Sequence, residues 1–125
     1  MSRILVIDDD PAVRAAVARV LVAAGHQVNQ AADGRLALEA LRHEPVDLVI
    51  TDLLMPEIDG IEMIVAVRQQ FPALPVIAMS GAIPNADLYL GIATNLGVRH
   101  TLAKPFNAEK LLHAVNQTLE RPDSQ

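Results

Sequence analysis

The sequence predicts an α/β fold: a doubly wound, five-stranded parallel sheet carrying five helices on its two faces. Three observations point there. Short apolar runs alternate with longer amphipathic segments about five times along 125 residues. The runs Ile4-Leu5-Val6-Ile7 and Leu48-Val49-Ile50 are continuously apolar, as in strands buried on both faces. Helix-capping and turn residues separate the segments, giving each a start and a stop.

In chain order, the first strand is Ile4–Ile7. Asp10 caps a first helix with Pro11 at its first position, and Val13, Ala16, Val17, Val20, Leu21 and Ala24 recur at helical spacing until Gly25 ends it. A short strand is expected around Gln27–Gln30. Asp33-Gly34 opens a second helix with Ala37, Leu38 and Leu41 on its apolar face. Pro45 precedes the central strand, Asp47–Asp52. The segment Leu53–Gly60, with Pro56 and Gly60, reads as a loop. Asp59, with Glu62 three residues on, resembles a capping box for a third helix ending near Phe71-Pro72. Val76–Met79 is the fourth strand. Gly81 and Pro84 open a loop before a fourth helix from about Ala86 to Leu96, with Gly97 after it. Val98–Ala103 is the fifth strand, and Asn107 caps a last helix carrying Leu111, Leu112, Val115 and Leu119. No repeat, linker or low-complexity segment interrupts the pattern. The expected organisation is one domain over residues 1–120 and a short tail, residues 121–125, without an attached output domain. A piece of a longer protein would read the same way.

Composition removes several classes of function. With 51% apolar residues the chain is not disordered. Phe71, Tyr89 and Phe106 are its only aromatic residues, which leaves no platform for stacking bases. A net charge of -5 and the lack of a Lys/Arg cluster argue against direct nucleic-acid binding. The absence of cysteine excludes disulfides and thiolate metal sites. Asp8 interrupts the only apolar run near the start, so neither a signal peptide nor a membrane span is expected, and the protein reads as cytoplasmic.

The chemistry lies at the strand ends. Asp8 and Asp9 leave the first strand, Asp52 ends the third, Ser80 follows the fourth and Lys104 the fifth. In a doubly wound sheet of order 2-1-3-4-5 the first and third strands are neighbours, and ligands bind beyond their carboxyl ends. Carboxylates gathered there repel, so one takes a proton or a cation enters. Oxygen ligands suit Mg²⁺; His26, His43, His100 and His113 are too scattered to favour zinc. Beside a bound metal, an aspartate can attack phosphorus, with Lys104 neutralising phosphoryl charge and Ser80 donating a hydrogen bond. The Lys104-Pro105 bond is a candidate cis peptide.

The segments ILVIDDDP, DLVITDLLMPEIDG, VIAMSGA and LAKPF, in that order and spacing, resemble the response-regulator receiver domain of two-component signalling, whose fold is CheY-like and flavodoxin-like. The resemblance covers essentially the whole chain. It implies that Asp52 accepts the phosphoryl group, that Asp9 ligates Mg²⁺ directly, and that Asp8 reaches the metal through water. It further implies that Leu54 supplies a backbone carbonyl to Mg²⁺, and that Ser80 and Lys104 contact the phosphoryl group. The implied partners are a sensor histidine kinase or histidine phosphotransfer protein as donor and a downstream target protein as receiver of the signal. A homodimer through the fourth-helix face is left open. On this resemblance the protein is no conventional enzyme, since it catalyses only its own phosphorylation and dephosphorylation.

Two departures matter. The family often has Tyr or Phe three residues before the lysine, where this chain has Thr101, which cannot repeat the aromatic rotamer change. The stretch from Ser80 to Gly97 is also about two residues longer than in the simplest members. The expectation is output through displacement of the Ser80–Asn85 loop and the fourth helix, visible in the amide shifts of residues 80–97. Leu54 and Ala82 have no polar group to orient a hydrolytic water, which predicts slow loss of the phosphoryl group.

Taken singly, each residue has a plainer reading: Asp10 is a cap, Asp47 a turn residue, Glu57 a solvated loop acid, Lys104 a surface charge. Two other functions compete. Asp-x-Asp after an apolar strand also suits a small aspartyl phosphatase of the haloacid-dehalogenase type, although Asp52 has no task there. A degenerate receiver serving as a constitutive interaction module would have no need of the full acidic set.

Overall fold

The computed structural model describes residues 2–53, 60–81 and 86–120. Ten elements alternate: β1 (Arg3–Ile7), α1 (Pro11–Ala23), β2 (Gln27–Ala31), α2 (Gly34–His43), β3 (Leu48–Asp52), α3 (Gly60–Gln70), β4 (Val76–Ser80), α4 (Ala86–Asn95), β5 (His100–Ala103) and α5 (Ala108–Glu120). The strands form one parallel sheet in the order β2-β1-β3-β4-β5.

Alternation of side chains along each strand divides the core. Ile4, Val6, Leu48, Ile50, Ile77 and Met79 pack with Val17 and Leu21 of α1 and Leu111, Ala114 and Val115 of α5. Leu5, Ile7, Val49, Val76 and Ala78 pack on the other side with Ala37 and Leu41 of α2, Met63, Ile64 and Val67 of α3, and Ala93 of α4. Both faces of the central strands are thus buried, which explains why β1 and β3 read as unbroken apolar runs.

The expected caps are in place. Asp10 accepts from the Ala12 and Val13 amides and Asp33 from that of Leu36; Asn107 accepts from the Lys110 amide. Gly25 and Gly97, with φ of 98° and 94°, take the left-handed conformation that closes α1 and α4.

The differences are local. β5 begins at His100, two residues later than expected, because the Val98 amide bonds back to the Ala93 carbonyl and completes the turn that ends α4. β3 begins at Leu48; Asp47 instead accepts from the Arg3 amide through its side chain. β2 gains Ala31 and β4 gains Ser80. Ala16 on α1 and Ala24 just after it are exposed and Ala18 is buried, since an alanine-rich helix offers little contrast from which to place its apolar stripe. The Asp59 cap lies outside the described residues. No helix among them is long and apolar enough to cross a membrane.

Candidate functional site

Strand register assembles the site. Ile7 of β1 pairs with Thr51 of β3, so the next residues, Asp8 and Asp52, emerge side by side at the carboxyl end of the sheet. On the far side of β3, Asp52 pairs with Met79 and Ser80 pairs with Ala103, which brings Ser80 and Lys104 to the same rim. The Lys104 amide donates to the Ser80 carbonyl at 2.6 Å, tying those two strand ends together. The Lys104–Pro105 peptide is cis, as the sequence suggested.

Asp8 has no solvent exposure, Asp52 is 8% exposed and Ser80 3%. Such burial of two carboxylates is costly without counter-charge. Lys104 supplies part of it: its Nζ lies 2.9 Å from Asp8 Oδ2 and 3.3 Å from Asp52 Oδ2. Burial opposes the lysine charge, but the hydrogen bond to Asp8 and the neighbouring Asp52 and Asp8 charges outweigh it, holding the Lys104 pKa above the usual lysine value. The other oxygen of Asp8, Oδ1, accepts from the Asp10 amide at 2.9 Å. Both oxygens of Asp8 are therefore engaged by protein donors.

Asp9 is exposed beside them, and carboxylate oxygens of Asp8, Asp9 and Asp52 lie within 4.8 Å of one another. Among the described residues three carboxylates face one ammonium, a charge imbalance that favours a cation. The donor set fits a hard divalent ion such as Mg²⁺, whose oxygen ligands sit about 2 Å from the metal and include several waters. Among the described residues this is the one group of three such side chains. Leu54, Glu57 and Ala82 lie outside the described residues. An apolar groove of about 440 Å³, lined by Leu41, Val46, Phe71 and Leu74, opens at the opposite end of the strands and has no share in this chemistry.

Residues 4–116 match the response regulator receiver domain family. The chain belongs to that family. It is 35% identical over 122 residues to the transcriptional regulatory protein GlrR of Escherichia coli (strain K12), covering 96% of this chain and 27% of that protein. It is also 35% identical over 119 residues to the response regulator MprA of Mycolicibacterium vanbaalenii, covering 95% and 51%. Among solved structures, the chemotaxis protein CheY4 of Vibrio cholerae is similar with a TM-score of 0.87 at 32% identity, covering 95% of this chain and 99% of that one. The receiver domain of NtrX from Brucella abortus gives 0.90 at 30%, with the same coverage. The chain spans roughly a quarter to a half of these two curated relatives' length. A receiver domain is not a conventional enzyme, and the phosphatase reading falls away.

The sequence reading passed over one residue at this receiver's site. Arg14 Nη1 donates to the Asp8 carbonyl at 2.7 Å, and its Nε to Gln30 Oε1 at 3.2 Å. The available signal was an arginine one turn beyond the Asp10 cap, because helical side chains lean back toward the amino end.

Proposed function

We propose that the chain is a phosphoacceptor that takes a phosphoryl group from a phosphohistidine partner onto Asp52 and signals by a change of conformation. The observation that carries the reading is the meeting of the Asp8, Asp9 and Asp52 carboxylates with Lys104 at the carboxyl ends of β1, β3 and β5. Metal would be held by Asp9 and Asp52 with the Leu54 carbonyl, and by Asp8 through water, which agrees with both Asp8 oxygens being bonded already. Bound Mg²⁺ would supply neutralisation of phosphoryl oxygens. A carboxylate oxygen of Asp52 attacks phosphorus, the P–N bond to the donor imidazole breaks, and its electron pair returns to the ring nitrogen. Lys104 offsets the charge that the group brings, and the Ser80 hydroxyl donates to one of its oxygens.

The donor is a histidine kinase or phosphotransfer protein, the recipient of the signal a downstream protein, and the setting the cytoplasm. Residues 1–120 form the receiver unit. With Thr101 exposed on β5 in place of an aromatic, the signal is carried by the 80–97 segment. Phosphoramidate, whose P–N bond imitates that of phosphohistidine, tests the reading. The expected product is a hydroxylamine-sensitive acyl phosphate mapping to Asp52, with amide shifts across residues 80–97. A stable modification elsewhere contradicts it, and no modification at all contradicts it in favour of an unmodified interaction module.

A further inference from the structure

We propose that Arg14 is a positioning residue for the acidic pocket, holding the Asp8–Asp9 backbone where both side chains can serve a bound cation. The inference rests on the receiver reading of that pocket. The half-buried Arg14 guanidinium bridges the end of β1 and β2, with Nη1 on the Asp8 carbonyl at 2.7 Å and Nε on Gln30 Oε1 at 3.2 Å. From the other side, the Asp8 amide donates to the Ala31 carbonyl at 3.2 Å. Asp8 is thereby fixed through its amide, its carbonyl and both carboxylate oxygens.

The consequence falls mainly on Asp9. Its side chain is exposed, so packing does little to fix it. The Asp8 carbonyl belongs to the rigid peptide plane that leads into Asp9, so a donor on that oxygen sets the direction from which Asp9 projects. A planar guanidinium with several donors in fixed geometry can hold the carbonyl and Gln30 together; an ammonium is a compact donor on a flexible stem.

Positioning and simple charge predict opposite signs. Arg14 is a cation near a cation site, so by Coulomb's law alone its removal would tighten Mg²⁺ binding. If Arg14 positions the ligands, its removal weakens binding. The experiment is calorimetric Mg²⁺ titration of the full chain and of Arg14→Met, Arg14→Lys, Gln30→Ala and Arg19→Met. Arg19 is exposed on the same helix, so its replacement makes the same charge change away from the Asp8 carbonyl.

Arg14→Met is expected to weaken Mg²⁺ binding about tenfold, with Arg14→Lys intermediate, Gln30→Ala weakened to a smaller extent and Arg19→Met unchanged or slightly tighter. Without metal, the Asp9 and Asp10 amide resonances shift in Arg14→Met and stay in place in Arg19→Met. Unchanged or tighter Mg²⁺ binding by Arg14→Met overturns the proposal. Should that variant not fold, Gln30→Ala decides: weaker binding supports the role of Arg14, unchanged binding overturns it. Failure of the parent chain to bind Mg²⁺ at all is a different result, overturning the receiver reading and this inference with it.

Discussion

Replacing Lys104 by Met removes the ammonium that bridges two buried carboxylates while keeping most of the side chain's length. At an effective dielectric constant of about 20, attraction across 2.9 and 3.3 Å is roughly 5–6 kcal/mol for each contact before desolvation is counted. Desolvation cancels much of that sum, and loss of one partner from a buried pair costs about 3–5 kcal/mol in practice. The Lys104 side chain keeps 22% of its exposure, which places the expected loss nearer 2–3 kcal/mol. For a domain of this size that lowers the melting midpoint by about 8–12 °C. Urea unfolding followed by circular dichroism in the presence of a chelator measures it. Added Mg²⁺ then narrows the gap, because the ion supplies the missing positive charge and binds the more negative cluster more tightly. A loss below about 1 kcal/mol without metal, or a gap that Mg²⁺ leaves unchanged, would refute the assignment of Lys104 as counter-charge.

Asp52→Asn removes a charge of the opposite sign. Among the described contacts, the attraction to Lys104 at 3.3 Å is set against repulsion from two carboxylates within 4.8 Å, and relief of that repulsion is expected to leave the metal-free variant less destabilised than Lys104→Met in the same urea assay. The Lys104 pairs also have a pH signature. Their folded-state pKa lies above the unfolded lysine value of 10.5, so their contribution is complete below that pH and disappears as pH rises through the higher folded value. The stability difference between parent and Lys104→Met should therefore be level from neutral pH to 10.5 and close above it, as seen in unfolding at successive pH values. Gly97→Ala places a side chain on a backbone with φ of 94° and is expected to cost about 1–2 kcal/mol, read as a lower urea midpoint with the phosphorylation rate retained.

Much of the molecule was legible because its determinants are local. Asp10-Pro11, Asp33-Gly34 and Asn107 announce helix starts, and the unbroken runs in β1 and β3 announce strands covered on both sides. Once the sheet order was granted, residues one step past those runs had to meet at one rim, which placed Asp8, Asp52, Ser80 and Lys104 together. What stayed hidden depends on side-chain reach. That Lys104 sits closer to Asp8 than to Asp52 is a tertiary fact without a local signal, and for Arg14, which bends back onto the Asp8 carbonyl, the local hint was no more than its place one turn beyond the Asp10 cap. The start of β5 was misplaced for a related reason. Val98 is apolar and suits a strand, but the turn that ends α4 needs its amide first.

The account stands most directly on intact-protein mass after incubation with acetyl phosphate, with and without Mg²⁺, for this chain and for Asp52→Ala. The predicted result is a single phosphoryl addition that requires both Mg²⁺ and Asp52. Addition without Mg²⁺, addition that survives Asp52→Ala, or no addition under any condition would contradict it.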